Sequence, residues 1–331
     1  MTDTSSAAPL ELTRTIRVPS SVSPQAQAAI AAGSAEVPAR LAARAMFPPI
    51  DDNAAWKAVI AMMDENIAQG FGMRADVDAA VEKVQIGEVD VYRITPAGAD
   101  TSPDAPVYYD IHGGALIAGG GDACRVMGMS SAARVGLDTW AIDYRMPPDH
   151  PYPIPLDDCL AVYRALLEVK RPEQIVVGGG SAGGNLAAAL MLKARAEGLP
   201  MPACLLLMTP EADLTESGDT FDTNEGVDYV LVNRLTESIA LYAQGHDLTD
   251  PFLSPLFGDL SEFPPTFLQA GTRDLFLSNA VRMHRKLRAA DVEAELHVWE
   301  AMPHGGFFGA PEDAEMGVEV RKFVAKHLPH A

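Results

Sequence analysis

A single serine in this sequence stands between glycines at a point where a buried strand should run into a helix. The segment IVVGGGSAGGNLAAAL contains the pattern G-x-S-x-G with Ser181 at its centre. A strand before the serine and a helix after it force a sharp turn that lifts the hydroxyl clear of the sheet. The helix N-terminus also favours negative charge that develops nearby. The pattern indicates a nucleophile; a glycine-rich turn that binds a phosphate or a dinucleotide is the alternative.

A second glycine-rich turn follows the apolar run APVYYDI. It contains Gly113, Gly114 and Ala115, and its backbone N–H groups could converge with that of Ala182 on one carbonyl oxygen. Each such donor contributes about 3 kcal/mol where negative charge develops in a transition state. We therefore predict an oxyanion hole here, although an ordinary tight turn would have the same sequence.

An acid and a base are needed to activate the serine. In hydrolases whose serine lies in a G-x-S-x-G turn between a strand and a helix, the acid follows the serine along the chain and the histidine follows the acid. Asp274 lies in the loop AGTRDLF directly after an apolar strand. Asp213 also follows a strand, but it begins a polar segment that looks like an insertion. We therefore favour Asp274 as the acid.

His304 is the histidine that best completes this set. It lies in the glycine-rich loop AMPHGGFFG after a strand, whereas His284 falls within a helix, His297 within a strand and His330 at the terminus. The chain order Ser181, Asp274, His304 predicts a Ser-His-Asp triad for acyl transfer.

Strand-length apolar runs and helical patterns alternate around these residues. We expect strands at 81–86, 87–94, 105–112, 137–144, 173–180, 203–209, 265–271 and 294–300. We expect helices at 21–33, 51–70, 156–169, 182–198, 279–290 and 311–328. This alternation predicts an α/β fold in which helices flank a mostly parallel central sheet.

Two stretches interrupt the alternation and divide the chain. Residues 1–75 are helical in pattern, and residues 210–250 are polar, acidic and partly helical. We expect both to build a helical cap over the strand ends. The core would then consist of residues 76–209 and residues 251–331.

Several further motifs accompany the predicted site. They are HGGAL (112–116), DYRMPPDHPYPIPLDD (143–158), GGGSAGGN (178–185), PEADL (210–214), AGTRDLF (270–276) and PHGGF (303–307). With these motifs the chain resembles the hormone-sensitive-lipase family of α/β-hydrolases, in its bacterial esterase branch, over roughly residues 80–328.

The resemblance implies an α/β-hydrolase fold with a helical cap, and it assigns roles to the same residues. Ser181 would be the nucleophile, Asp274 the acid and His304 the base. Residues 113–115 with Ala182 would form the oxyanion hole. Family members hydrolyse esters of small and medium acids, some open lactones, and they need no cofactor or metal. Many of them dimerise, so a homodimer is an expectation for this chain.

Three positions depart from the family pattern. Ala115 stands where a third glycine is usual, so a positive φ would be harder to hold. Gly180 replaces an acidic residue before the nucleophile. Glu211 replaces a bulky apolar residue and, if it faced the pocket, would favour a substrate with a polar or cationic feature.

Composition narrows the remaining choices. The 331 residues include 48% hydrophobic residues, and the formal net charge of −20 argues against a nucleic-acid partner. No run approaches the ~18 apolar residues that a membrane span needs, and no cationic, apolar leader opens the chain. Cys124, Cys159 and Cys204 fit neither a disulfide framework nor a metal motif, so we expect buried thiols in a cytoplasmic protein.

The sequence therefore predicts a serine hydrolase that cleaves carboxylic esters of small to medium acyl chain. A lactone hydrolase with the same triad is the alternative, and pocket shape would have to separate the two. A non-hydrolytic relative on the same scaffold is disfavoured because the triad is complete. Activity should fall as the pH drops through roughly 6–7, where a histidine base becomes protonated.

Overall fold

An eight-stranded sheet forms the centre of the structure, a computed structural model that describes residues 11, 13–44, 47–72 and 77–329. Its strands are β1 (Ala79–Ile86), β2 (Val89–Pro96), β3 (Val107–Ile111), β4 (Asp138–Asp143), β5 (Ile175–Gly180), β6 (Cys204–Met208), β7 (Thr266–Gly271) and β8 (Ala294–Trp299). Their order across the sheet is β1-β2-β4-β3-β5-β6-β7-β8. Strands β1 and β2 pair antiparallel as a hairpin, and β2 also pairs antiparallel with β4. The other five neighbouring pairs are parallel.

Helices connect the strands and cover both faces of the sheet. They are α1 (Pro24–Arg44), α2 (Asn53–Gly72), α3 (Asp122–Val135), α4 (Ile154–Leu167), α5 (Ala182–Ala196), α6 (Thr220–Thr223), α7 (Thr236–Ala243), α8 (Leu277–Ala289) and α9 (Pro311–His327). The α/β fold with a mostly parallel sheet is thus confirmed. Predicted and observed ends of the core strands and helices differ by no more than two residues.

The central strands are buried on both faces because helices lie on each side of them. On β3, Tyr109 and Ile111 pack into the core with α4 and α5, whereas Tyr108 packs with residues of α9 on the opposite face. This period-2 alternation within a fully buried strand is typical of parallel sheets. Since parallel strands end at one edge, the loops after β3, β5, β6, β7 and β8 meet there.

The prediction that the first helix ends at Gly33 is wrong, because α1 continues to Arg44. Gly33 lies against the ring of Tyr229, and a Cβ built on it would come within 2.1 Å of Cδ2. The glycine therefore permits a close approach between α1 and the 210–250 segment and does not terminate the helix.

Helix α3 has no counterpart in the sequence-based prediction. Its residues are small or buried around much of the circumference, including Ala123, Cys124 and Ala132. Gly128 packs against β4, where an added Cβ would lie 2.6 Å from Ala141 Cβ. A helix of small residues that packs on several sides shows little of the periodicity by which helices are recognised in a sequence.

The segment 210–250 contains little regular structure apart from the short helices α6 and α7. Cys124, Cys159 and Cys204 are buried thiols, as expected. Within the described residues, no helix is both long enough and apolar enough to cross a bilayer.

Candidate active site

Ser181 occupies a strained turn between β5 and α5. Its backbone has φ 57° and ψ −123°, in a region that residues with a side chain rarely adopt. Such a conformation costs about 1–3 kcal/mol and must be held by its surroundings. The Ser181 N–H donates to the carbonyl of Met208 at 2.9 Å, and its own carbonyl accepts from Gly184 and Glu211. The backbone on both sides of the serine is therefore fixed.

Close packing around this turn requires a glycine at two positions, whereas a third glycine has free space around it. A Cβ on Gly183 would lie 1.9 Å from the Ile111 carbonyl oxygen, and one on Gly179 would lie 2.4 Å from the Gly183 backbone. A Cβ on Gly180 would meet nothing closer than 3.7 Å. The outer glycines of G-x-S-x-G are therefore required by close packing, whereas Gly180 leaves room for a side chain.

Asp274 and His304 come together beside the serine turn. The His304 ring donates from Nδ1 to Asp274 Oδ1 at 3.0 Å, and the Asp274 side chain is fully buried. Asp274 Oδ1 also accepts the N–H of Phe276 at 2.9 Å. The ring of Phe276 meets the imidazole edge to face at 4.9 Å between centroids. Because Nδ1 is engaged by the carboxylate, Nε2 is the ring nitrogen left to act as a base.

The environment of His304 acts on its pKa in opposing directions. Burial lowers the pKa of the imidazole, whereas the adjacent carboxylates of Asp274 and Asp228 raise it, and the net effect is a raised pKa. An imidazolium at this position is thus stabilised, as a base that accepts a proton during a reaction requires.

Asp213, the competing acid of the sequence analysis, lies elsewhere. Its carboxylate accepts from the hydroxyls of Thr215 and Ser217 and pairs with Arg282 at 2.6 Å. Although burial alone raises the pKa of Asp213, these hydrogen bonds lower it overall. Its role is to join the 210–250 segment to α8.

The loop after β3 has an unusual backbone. Ala115 and Leu116 have φ values of 56° and 63°, so the left-handed conformation expected to be difficult for Ala115 is nevertheless adopted. The N–H groups of Ile117 and Ala118 fold back onto the carbonyl of Gly114 at 3.2 and 2.9 Å. This hydrogen bonding holds the loop in place beneath Ser181.

Gly113 and Gly114 have N–H groups that donate to no other part of the described chain. An added Cβ on Gly113 would lie 3.3 Å from Ser181 Cβ, so this loop is adjacent to the serine side chain. Ala182, the first residue of α5, is the next residue after Ser181. The structure thus brings together the four residues predicted to form the oxyanion hole.

His112 anchors the same loop from behind. Its ring stacks on Tyr144 at 4.1 Å between centroids, and Nδ1 lies 2.8 Å from the carbonyl oxygen of Gly113, to which it can donate. The Tyr144 hydroxyl donates to the carbonyl of His112 at 2.9 Å. Burial lowers the pKa of His112 to about 4, so the ring is neutral near pH 7.

Asp228 is a buried carboxylate at the site that the sequence analysis missed. Oδ1 accepts the N–H groups of Val230 and Leu231 at 2.9 and 3.1 Å, and Oδ2 accepts those of Leu275 and His304 at 3.0 and 3.1 Å. One side chain thus joins the 210–250 segment to the loops that carry Asp274 and His304. Burial and the neighbouring Asp274 carboxylate raise the pKa of Asp228.

Thr209 is the second missed residue. Its hydroxyl contacts Asp274 Oδ2 and lies 2.9 Å from His304 Nδ1. Its φ of 46° is exceptional for a β-branched residue. Position alone gave a signal for Thr209, which directly follows β6 at the edge where the other site loops end. Asp228 has no such signal, because its partners are remote in sequence.

Among the described residues, two clusters of side chains have the composition of metal ligands. Asp228, Asp274 and His304 form one, and their ligand atoms lie within 4.8 Å of one another. These atoms are already engaged by backbone N–H groups and by the Asp274–His304 hydrogen bond, so they fit a hydrogen-bonded network better than a metal site. The other cluster is His112, Cys124 and Asp143.

A cavity of about 1030 Å³ opens above Ser181 and His304. On one side its wall consists of apolar residues of α2 and of the 210–250 segment: Met63, Ile67, Phe71, Val230, Leu231 and Leu235. These are the two regions predicted to form a cap. Glu211 is buried and is not one of the described residues that line this cavity, so the condition for its proposed effect on substrates is not met.

Several known proteins are similar to this chain in sequence, and several solved structures are similar to it in fold. A profile of the α/β-hydrolase fold matches residues 108–308. An esterase of Acinetobacter venetianus is 35% identical over 198 residues, which cover 59% of this chain and 65% of that protein. An acetyl-hydrolase of Streptomyces hygroscopicus is 30% identical over 199 residues, covering 59% of this chain and 66% of that protein. The chain thus matches less than two thirds of the length of these relatives.

A solved structure matches over more of the chain. The crystal structure of esterase E25 has a TM-score of 0.88 and 34% identity, covering 97% of this chain and 99% of that one. An esterase from the bacterial hormone-sensitive-lipase family has a TM-score of 0.76 and 30% identity, with coverage of 93% and 99%. The shared fold, profile and sequence show that this chain belongs to the α/β-hydrolase family, in its bacterial hormone-sensitive-lipase branch.

Proposed function

We propose that this chain hydrolyses carboxylic esters of small to medium acyl chain, with Ser181 as nucleophile, His304 as base and Asp274 as acid. The observation that carries the proposal is the hydrogen bond from His304 Nδ1 to the buried Asp274, next to a serine on a strained strand–helix turn. The relatives that are called esterase and carboxylesterase support the same reaction type.

In this mechanism His304 removes the proton from Ser181 while the hydroxyl oxygen attacks the ester carbonyl carbon. Asp274 keeps the imidazole in the required tautomer and stabilises the imidazolium. The N–H groups of Gly113, Gly114 and Ala182 would donate to the tetrahedral oxyanion. His304 then protonates the leaving alcohol, and water repeats the sequence to release the acid.

The residues of the loop at 113–116 support the proposed oxyanion hole in a specific way. Ala115 lines the cavity, and within the described chain its N–H group, like those of Gly113 and Gly114, donates to no other residue. The departure from a third glycine therefore alters the shape of the pocket and leaves the donors unchanged. We also propose that residues 1–75 and 210–250 act as the cap, since residues of α2 line the cavity together with Val230, Leu231 and Leu235.

A lactone is the second candidate substrate. A cyclic ester presents the same carbonyl to the same triad, and a cavity of about 1030 Å³ has room for a ring. The reaction steps are unchanged, except that the leaving alcohol stays attached to the acyl product.

The test is to assay the purified protein with p-nitrophenyl acetate, butyrate, octanoate and palmitate, beside γ-, δ- and ε-lactones. Ser181→Ala is the matched variant. We expect turnover of the short esters and its loss in the variant, and the relative rates on lactones then decide between the two substrate classes. Equal rates for the folded variant and the native protein would refute the proposal.

A further inference from the structure

The cavity has a second arm that the proposed chemistry at Ser181 does not use. It leaves the serine away from the apolar cap side and runs as a groove between α3 and α9. Helix α3 contributes Met127, Ser131 and Arg134 to its walls, and α9 contributes Ala314, Gly317 and Arg321. We call this arm the α3–α9 groove. From Pro311 to Arg321 the helix rises about 15 Å, so the groove accommodates an extended chain.

Two arginines lie at the far end of the groove. Both side chains pass over Gly317, where an added Cβ would lie 3.4 Å from Arg321 Nη1 and 3.7 Å from Arg134 Cγ. Arg321 Nη1 donates to the backbone carbonyl of Arg134 at 2.9 Å, which holds the Arg321 guanidinium against the end of α3. Within the described chain, neither guanidinium has a carboxylate at ion-pair distance. Arg134 interacts electrostatically with the buried Asp110 and opposes the rise in the pKa of that carboxyl, so the two positive charges are balanced only in part. This cationic pair lies in a protein whose net charge is −20.

The acidic groups along the groove are themselves satisfied by hydrogen bonds. Asp313 accepts the N–H groups of Phe307, Gly309 and Ala310 at 2.9, 2.6 and 3.0 Å. Asp110 lies buried at the base of the groove, bonded to Tyr108 and Ser131, and burial raises its pKa to about 7. Neither Asp313 nor Asp110 therefore accepts a hydrogen bond from the guanidinium group of Arg134 or Arg321.

We propose that the α3–α9 groove binds the chain of an elongated ester and that Arg134 and Arg321 bind a carboxylate at its distal end. The inference rests on the proposed function, and it names the substrate class as linear esters that carry a terminal carboxylate. Guanidinium groups suit this role because they form charge-assisted hydrogen bonds with carboxylates. Ser131, Ala314 and Gly317 are small residues of the groove wall and leave space for a substrate chain.

The test compares matched substrates that differ only in the terminal group. On the acyl side the pair is mono-p-nitrophenyl suberate and p-nitrophenyl octanoate, which have the same chain length. On the alcohol side the pair is the acetate of an ω-hydroxy fatty acid and the acetate of the corresponding alcohol. The measured quantity is the ratio of kcat/KM for the carboxylated ester to kcat/KM for the neutral one.

The variants are Arg134→Gln and the double variant Arg134→Gln/Arg321→Gln. The single variant is less disruptive to the fold, because the hydrogen bond from the Arg321 side chain to the backbone carbonyl of Arg134 is retained. The matched control is Arg285→Gln/Arg288→Gln on α8, which removes two positive charges outside the cavity. The control therefore accounts for any long-range effect of net charge.

In at least one substrate pair we expect the ratio to fall about tenfold in the double variant, by a smaller factor in the single variant, and not at all in the control. Added salt should reduce the preference of the native protein because it screens exposed charges. The inference is overturned if both ratios are the same in the native protein and the double variant, or if the control lowers them equally. If the native protein fails to cleave even the neutral esters, the proposed function itself has failed.

Discussion

The two halves of the candidate site are held in place by different means. The side that carries Ser181, residues 111–116 and 178–185, which we call the nucleophile side, is shaped by its backbone. It has a positive φ at Ser181, close glycine contacts, and N–H groups of Gly113 and Gly114 that donate to no other part of the described chain. The acid–base side, formed by Thr209, Asp228, Asp274 and His304, is held by side-chain hydrogen bonds among segments up to 95 residues apart. Substitutions should therefore damage the first half through sterics and the second through lost polar partners.

The largest effect should follow from Asp274→Asn on the acid–base side. The amide cannot stabilise the imidazolium and favours the wrong tautomer, so kcat should fall about 10⁴-fold while the fold persists. The control is Asp213→Asn, which removes the other candidate acid, and its kcat should stay within a few-fold of native. Steady-state assays with p-nitrophenyl butyrate measure both; equal losses would show that the acid is wrongly assigned.

Gly183→Ala tests the steric side of the comparison. Its Cβ would lie 1.9 Å from the Ile111 carbonyl oxygen, which leaves no room without movement of β3 or α5. We expect the free energy of unfolding to fall by about 3 kcal/mol or more, or folding to fail. Gly180→Ala should change it by less than about 1 kcal/mol, since the nearest atom lies 3.7 Å away. Urea titrations of the two variants give the comparison, and similar values would contradict it.

Asp228→Asn tests whether the missed carboxylate positions the acid and base loops. An amide has one acceptor oxygen, so two of the four backbone N–H groups lose their partner. We expect kcat to fall about 10- to 100-fold through misplacement of His304. Asp222→Asn is the control, because this exposed aspartate of α6 pairs only with the side chain of Arg234 among the described charged groups.

The pH profile separates positioning by Asp228 from a general loss of stability. The pKa of His304 is raised by Asp274 and Asp228, so the acid limb of native kcat/KM should lie above the ordinary histidine value of 6.5. Removing the charge of Asp228 lowers that pKa, and the limb should move to lower pH in the variant. Stability depends on pH in the opposite direction from activity. Protonated His304 stabilises the fold below pH 6.5, and this contribution to the free energy of unfolding is lost as the pH rises through the raised pKa. An unmoved limb would show that Asp228 acts only through stability.

Ala115→Gly should have the smallest effect. It removes a Cβ from a residue at φ 56°, and relief of strain is offset by greater flexibility of the unfolded chain. The free energy of unfolding should change by less than about 1 kcal/mol. Because the lost methyl group lines the cavity, the ratio of octanoate to acetate hydrolysis should rise. An unchanged ratio would show that Ala115 does not limit acyl size.

The same comparison explains what the sequence could predict. The nucleophile side depends on neighbours within a few residues, so local patterns are enough to predict Ser181, Gly113, Gly114, Ala115 and Ala182 as site residues. The strands and most helices followed from periodicity for the same reason. Asp274 and His304 required the chain order of the triad in addition, since each is an ordinary residue in a loop.

What the sequence could not predict depends on contacts between distant segments. The position of Asp228 in the site can be recognised only from the backbone N–H groups that it accepts, which belong to residues 230, 231, 275 and 304. Helix α3 was missed because its small residues pack on several sides, and Gly33 was misread as a helix end because its neighbour Tyr229 is remote in sequence. The predicted boundaries of the cap stay a prediction.

The most direct test of the central claim is to identify the residue that carries the acyl group. The protein would be inactivated with phenylmethylsulfonyl fluoride and analysed by intact mass and peptide mapping, beside Ser181→Ala and His304→Ala. Our account predicts one adduct per chain on Ser181, in proportion to the activity lost, no adduct in the serine variant and slow labelling of the histidine variant. An adduct on another residue, or loss of activity without modification of Ser181, would contradict it.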